Sequence, residues 1–228
     1  MQTPIRTVLF DLDGTLADTA RDLACALNAL LEEEGRAPLP FASIRPLVSH
    51  GSPALIRLGF GLAPTDTGYA ELRARLLAHY ARDLCRATRL FPGTAELLAA
   101  LRERSIRWGI VTNKPAFLTE PLVKQLAPAH PPCCIVSGDT CANRKPHPEP
   151  MLLACKLARG NPEQCVYVGD AERDVRAGKD AGMHTLVALY GYIGENETPM
   201  QWGANGMIDA PGEILDWLDR RAGDRDAG

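Results

Sequence analysis

Asp11 and Asp13 stand on alternate positions just past a short apolar run, Val8-Leu9-Phe10, and Gly14 and Thr15 follow at once. Such a run reads as a buried strand. In an open parallel sheet, ligands collect beyond the carboxyl ends of the strands, so two acids placed there are poorly explained as surface decoration. Their types and spacing suit a nucleophile and a proton-transfer group sharing a site with a hard cation. A calcium loop is the competing reading, but an EF-hand needs Gly at its sixth position and Glu at its twelfth. Here Gly14 is fourth and Asp22 twelfth.

Positioning such a site requires a sheet. Strand-like runs at 7–10, 106–111, 133–136, 165–168 and 185–189 alternate with helix-length stretches at 93–104, 116–126, 149–158 and 172–181. The latter carry apolar residues at three- or four-residue spacing. This is α/β grammar, a parallel sheet covered by helices. From about Ala20 to Leu90 no strand is expected. Leu23, Leu27, Leu30 and Leu31 form one helical stripe, Leu72, Leu76, Leu77 and Tyr80 another, with prolines punctuating the stretch between. The expected organisation is an α/β core over 1–16 and 91–228 with an inserted α-helical cap domain over 17–90. A cap entering just past the aspartates can close over them and exclude water.

The other strand ends also deliver polar groups: Thr112-Asn113, then Gly169-Asp170 with Asp174 beyond, and Arg144-Lys145-Pro146 before a helix. This ordered set resembles the haloacid dehalogenase-like hydrolase superfamily over nearly the whole chain, and the helical insertion resembles its C1 type of cap. Within it, Thr112-Asn113-Lys114-Pro115, Lys145-Pro146-His147-Pro148 and Tyr167-Val168-Gly169-Asp170 are similar to signatures of the phosphoglycolate phosphatase group. Tyr190-Gly191-Tyr192 with Trp202-Gly203-Ala204 resembles a subset acting on N-acetylmuramic acid 6-phosphate.

The resemblance implies a Rossmann-like core and a Mg²⁺-dependent phosphatase working through an aspartyl-phosphate. Asp11 would be the nucleophile and Asp13 the acid and base. Mg²⁺ would be held by Asp11, Asp170 and the Asp13 carbonyl. Thr112, Asn113, Lys145 and the backbone near Leu12 would bind the phosphoryl group, Lys145 also keeping Asp11 ionised. Asp174 would orient the metal or Lys145 from behind. Asp13 also argues for phosphoester chemistry: halide needs no protonation on departure, whereas an alkoxide does.

For the leaving group, Arg45, His50, Gly51 and Ser52 are the candidates. Gly51 and Ser52 could open a helix at Pro53 and offer N–H groups to an anion, and Arg45 could pair with a carboxylate. The segment Ser49-His50-Gly51 departs from the Gly-Asn-Gly loop of the phosphoglycolate phosphatase group. The expected substrate is a small phosphomonoester, 2-phosphoglycolate first, with N-acetylmuramic acid 6-phosphate or another sugar phosphate as alternatives. A phosphosugar mutase and a non-catalytic phospholigand binder are the rival functions.

Composition narrows the rest. At 228 residues, 46% hydrophobic and 23% charged, the chain can build a sizeable core. A net charge of −3 gives no case for nucleic acid or an anionic membrane surface. No apolar stretch is long enough to span a bilayer and Met1-Gln2-Thr3-Pro4 opens no signal-like segment, so a cytoplasmic monomer or homodimer is expected. The seven cysteines lack metal-ligand spacing and read as reduced and mostly buried, with Cys141 the one candidate for reactivity.

Overall fold

The computed structural model describes residues 3–226. Its centre is β1 (Thr7–Phe10), whose four residues are all buried. A short β2 (Ala17–Asp18) leads into four helices: α1 (Ala20–Glu33), α2 (Phe41–Ile44), α3 (Gly51–Phe60) and α4 (Tyr69–Arg82). The chain returns through β3 (Arg89–Leu90). It then alternates through α5 (Thr94–Glu103), β4 (Arg107–Val111), α6 (Ala116–Leu126), β5 (Ile135–Val136), α7 (Glu149–Leu157), β6 (Cys165–Gly169), α8 (Glu172–Asp180) and β7 (His184–Ala188), closing with β8 (Gly206–Ile208) and α9 (Glu213–Asp226).

Six strands form one parallel sheet in the order β5-β4-β1-β6-β7-β8. Alternate side chains leave the sheet on opposite faces. Val8 and Phe10 pack on the face that also buries Leu97 and Leu101 of α5, Leu118 and Leu122 of α6, and Ile214 of α9. Leu9 packs on the other with Met151 of α7 and Ala177 of α8. Burial on both faces is why these strands read as continuous apolar runs.

Register sets the site. Phe10 pairs with Ile110 and with Val168. Asp11 is therefore level with Val111 and Gly169, and Thr112 and Asp170 follow one residue beyond, at the same carboxyl edge.

Helices α1–α4 lie between β2 and β3, in a stretch for which no strand is expected. Its two connections pair with each other as an antiparallel ribbon, Ala17 opposite Leu90 and Asp18 opposite Arg89, so a strand does end this stretch. Two-residue strands carry no periodicity to detect. The buried Asp22 carboxylate reinforces the return by accepting from the backbone N–H groups of Ala87 and Thr88 and from the Thr88 hydroxyl, at 2.7–3.1 Å. Leu23, Leu27, Leu30 and Leu31 of α1 are buried, and their cluster is continuous with the sheet through Leu12 and Leu16.

The cysteines depart from expectation. All seven are free thiols, but only Cys134, Cys155 and Cys165 are buried, while Cys25 and Cys133 are exposed. Cys141 is half-buried and its thiol is pushed up by burial, which disfavours the reactive thiolate. Among the described residues no helix is long and apolar enough to cross a membrane.

Candidate active site

Lys145 organises the carboxyl edge of the sheet. Its side chain is fully buried, with Nζ 2.9 Å from Asp11 Oδ1 and 2.8 Å from Asp174 Oδ1. It also donates to the Val111 carbonyl at 3.0 Å and the Tyr167 hydroxyl at 2.8 Å. The loop bearing Lys145 is clasped by Asn113, whose amide accepts from the Lys145 N–H at 3.0 Å and donates to its carbonyl at 2.9 Å. Asn113 was expected to bind phosphate. Its side chain is instead committed to this backbone, because the loop after β4 and the loop before α7 meet there.

Asp11 Oδ1 also accepts from the Leu12 N–H at 2.8 Å. Carboxylate oxygens of Asp11, Asp170 and Asp174 lie within 4.8 Å of one another, all three residues buried. Burial, with Asp11 and Asp174 as like-charged neighbours, pushes the Asp170 carboxyl up to about 7. Burial also raises Asp174, opposed by the Lys145 cation. Three buried carboxylates against Lys145 and the nearby Arg173 leave a surplus of negative charge that a cation would offset. The donors are all oxygens, the set a hard divalent ion prefers.

Two glycines permit this packing. Gly14 has φ +84, and a Cβ there would lie 2.1 Å from Asp170 Oδ2. A Cβ on Gly191 would lie 2.3 Å from Asp170 Cβ. The Tyr192 N–H donates to Asp170 Oδ2 at 2.9 Å, while its hydroxyl bonds the Thr19 and Ala20 N–H groups and the Asp18 carboxylate. Tyr190-Gly191-Tyr192 thus braces Asp170 against the start of α1.

Asp13 stands apart from the trio. Its Oδ1 accepts from Thr19 at 2.6 Å and pairs with Lys114 Nζ at 2.8 Å. Lys114 also donates to the Tyr80 hydroxyl of α4 at 3.0 Å. Burial disfavours the Lys114 cation, but Asp13 and Tyr80 outweigh it and hold its pKa above the usual lysine value. Burial pushes Tyr80 up to about 12. The sequence motifs alone assign no role to Lys114. The available signal is its place two residues beyond Thr112, on the same side of an extended chain. Thr112 is buried, and its hydroxyl accepts from the Lys114 N–H at 3.2 Å.

A cavity of about 290 Å³ opens above Asp11, Asp13 and Thr112, walled by the helical insertion through His50, Ser52 and Tyr80. Gly51 and Ser52 line it too, at the start of α3. His50 lines it with Nε2 3.7 Å from Glu197, and burial, with Arg173 nearby, lowers its pKa. Arg45 does not line it. Its guanidinium stacks on the Tyr192 ring at 4.9 Å and donates to the Tyr190 carbonyl at 3.4 Å. The aromatic tail claims the charge that was expected to read a leaving group. Ser49, also on the insertion, donates to Asp170 Oδ2 at 2.5 Å, and Arg173 of α8 bonds its carbonyl.

This ordered geometry has relatives. An N-acetylmuramic acid 6-phosphate phosphatase of Pseudomonas putida is 40% identical over 215 residues, covering 94% of this chain and 96% of its own. A phosphoglycolate phosphatase of Xanthomonas campestris pv. campestris is 40% identical over 210 residues, covering 92% and 94%. The crystal structure of a predicted phosphoglycolate phosphatase from Haemophilus somnus 129PT superposes with a TM-score of 0.83 at 26% identity, covering 95% of this chain and 99% of that one. Residues 5–182 match the family model of the haloacid dehalogenase-like hydrolases, and with the carboxyl-edge aspartates, threonine and lysine in the order described, the chain belongs to that family.

Proposed function

We propose that this enzyme, a phosphoric monoester hydrolase, is a Mg²⁺-dependent phosphatase of small phosphomonoesters that works through an aspartyl-phosphate. The observation that carries the reading is Asp11, oriented by Lys145 at 2.9 Å and the Leu12 N–H at 2.8 Å at the floor of a cavity that Asp13 also lines.

Asp11 would attack phosphorus, forming its P–O bond as the bond to the leaving oxygen breaks. Asp13 would protonate that oxygen, then take a proton from the water that releases phosphate from Asp11. Lys145 would hold Asp11 in position for attack, and the Thr112 hydroxyl and the backbone around Leu12 would bind phosphoryl oxygens. Asp11, Asp170 and the Asp13 carbonyl would hold Mg²⁺, with Asp174 fixing Lys145 behind them. When bound, the ion neutralises charge on the phosphoryl group. Helices α1–α4 would act as a cap domain hinged at the β2–β3 ribbon, excluding water when closed.

Two leaving groups are in view, glycolate and N-acetylmuramic acid. Relatives of both names match at 40% identity. A cavity of about 290 Å³ is larger than a two-carbon leaving group fills, which favours the sugar. A non-catalytic binder has no use for Asp11 beside Asp13. The test is phosphate release with Mg²⁺ and with chelator, comparing 2-phosphoglycolate, N-acetylmuramic acid 6-phosphate and other sugar phosphates. A lead of orders of magnitude in kcat/KM names the substrate. Turnover that survives Asp11→Asn overturns the nucleophile, and conversion of a sugar phosphate to its isomer turns the reading to a mutase.

A further inference from the structure

The cavity has two lining cations that no carboxylate among the described residues partners. Its acidic side chains are Asp11 and Asp13, and its permanent cations are Arg73, Lys114, Arg144 and Arg173. Lys114 is matched to Asp13 at 2.8 Å. Arg173 bonds the Ser49 carbonyl within the field of Asp174, Asp11 and Asp170, which raise its pKa against burial.

Arg73 and Arg144 remain. Among the described residues Arg73 makes one side-chain hydrogen bond, from Nε to the neutral Ser52 hydroxyl at 3.0 Å, and Arg144 makes none. Neither has a carboxylate of the described residues within ion-pair distance. They come from different parts of the chain, Arg73 from α4 of the insertion and Arg144 from the loop before α7. Both also line an adjoining cavity of about 260 Å³ that includes Asn113 and Pro115 but neither Asp11 nor Asp13. They therefore face the side of the space away from the phosphoryl position. Asp139, the acid in that adjoining cavity, accepts from the Ala116 N–H at 2.8 Å. A guanidinium with its Nη groups uncommitted is suited to bidentate capture of a carboxylate or phosphate.

We propose that Arg73 and Arg144 form a second anion subsite, which binds a carboxylate or phosphate carried by the leaving group; this deepens the phosphatase reading and rests on it. Ser52, held by Arg73, keeps its hydroxyl proton available for the same anion. Because one arginine belongs to the insertion and the other to the sheet domain, an anionic leaving group also bridges the two.

The test uses matched substrates differing in one anion: 2-phosphoglycolate against 2-hydroxyethyl phosphate, N-acetylmuramic acid 6-phosphate against N-acetylglucosamine 6-phosphate, and a sugar bisphosphate against its monophosphate. The wild-type enzyme is expected to favour one anionic member by ~10–100-fold in kcat/KM, through KM. The pair in which this appears tells carboxylate from phosphate. Arg73→Gln and Arg144→Gln should each reduce that ratio about tenfold or more, with Arg73→Lys and Arg144→Lys as milder variants if either fails to fold. Ratios unchanged in the variants, or no preference in the wild type, overturn the subsite. If no substrate is turned over, the phosphatase reading fails separately. The subsite is then judged by calorimetry of the same pairs on Asp11→Asn protein: tighter binding of the anionic member, lost with Arg73→Gln, supports it, and equal binding overturns it.

Discussion

Lys114 Nζ lies 2.8 Å from Asp13 Oδ1, so a buried cation faces the second aspartate of the Asp-x-Asp pair and not the first. Lys145 does the same for Asp11 at 2.9 Å. Each carboxylate has its own lysine, and the Asp13 lysine is also bonded to Tyr80 on the inserted helices.

The first prediction concerns that pairing. Lys114 holds the Asp13 carboxylate in place, and Asp13 alone must position the water that attacks a phosphorylated Asp11, whereas bound substrate helps to position the leaving oxygen. Lys114→Gln should therefore slow hydrolysis of the intermediate more than its formation. The expected outcome is a fall in kcat of ~10-fold or more, with a phosphorylated species trapped by acid quench. Asp13→Asn should cost ~10²–10⁴-fold by removing acid and base together. A Lys114→Gln enzyme with full turnover and no trapped species would show that the pair is structural.

Metal removal tests the carboxylate trio. A ligand at 100 times its Kd stabilises the folded state by about 2.7 kcal/mol. Mg²⁺ should raise the melting temperature of the wild-type protein, chelator should reverse it, and Asp170→Asn should abolish the shift. A shift of equal size in Asp170→Asn would place the ion elsewhere.

Asp22 carries a stability prediction. Its buried carboxylate serves two backbone N–H groups and a hydroxyl in the segment returning from the insertion. Asp22→Ala leaves those donors without a partner, at a cost of about 3 kcal/mol. Denaturant melts should record it in the midpoint. An unchanged midpoint would mean that the return segment is held by the β2–β3 ribbon alone.

The sheet and its carboxyl edge were legible in the sequence for a physical reason. Strands buried on both faces must be apolar throughout, and helices on a sheet must repeat at three and four, so 7–10 and 116–126 match β1 and α6 to the residue. Asp11 and Asp170 stand out as candidates because they are polar groups at the ends of apolar strands, whereas Lys145, in a loop before α7, is marked only by its order among the other motifs. Roles that depend on tertiary approach were not legible. Arg45 and Arg73 are both arginines of the insertion, and nothing local says that one stacks on Tyr192 while the other lines the cavity. Asn113 sits beside Thr112 in sequence but spends its amide on the backbone of a loop 32 residues away.

Gly14 links backbone conformation to metal binding. Its φ of +84 is a left-handed geometry that an L side chain adopts at a cost of about 1–2 kcal/mol. The Cβ of Gly14→Ala would lie 2.1 Å from Asp170 Oδ2 and 2.8 Å from the Tyr192 ring. Asp170 has little room to yield, because its carboxylate is held by the Tyr192 N–H at 2.9 Å and by Ser49 at 2.5 Å. The substitution should therefore displace the carboxylate, lowering Mg²⁺ affinity about tenfold or more on top of a stability loss of about 2 kcal/mol. The two effects separate by experiment. Melts in chelator read the backbone cost alone, and the added shift on titrating Mg²⁺ reads the metal site. A Gly14→Ala protein that melts lower in chelator but shows the wild-type Mg²⁺ titration would mean that Asp170 is not a ligand or moves without loss.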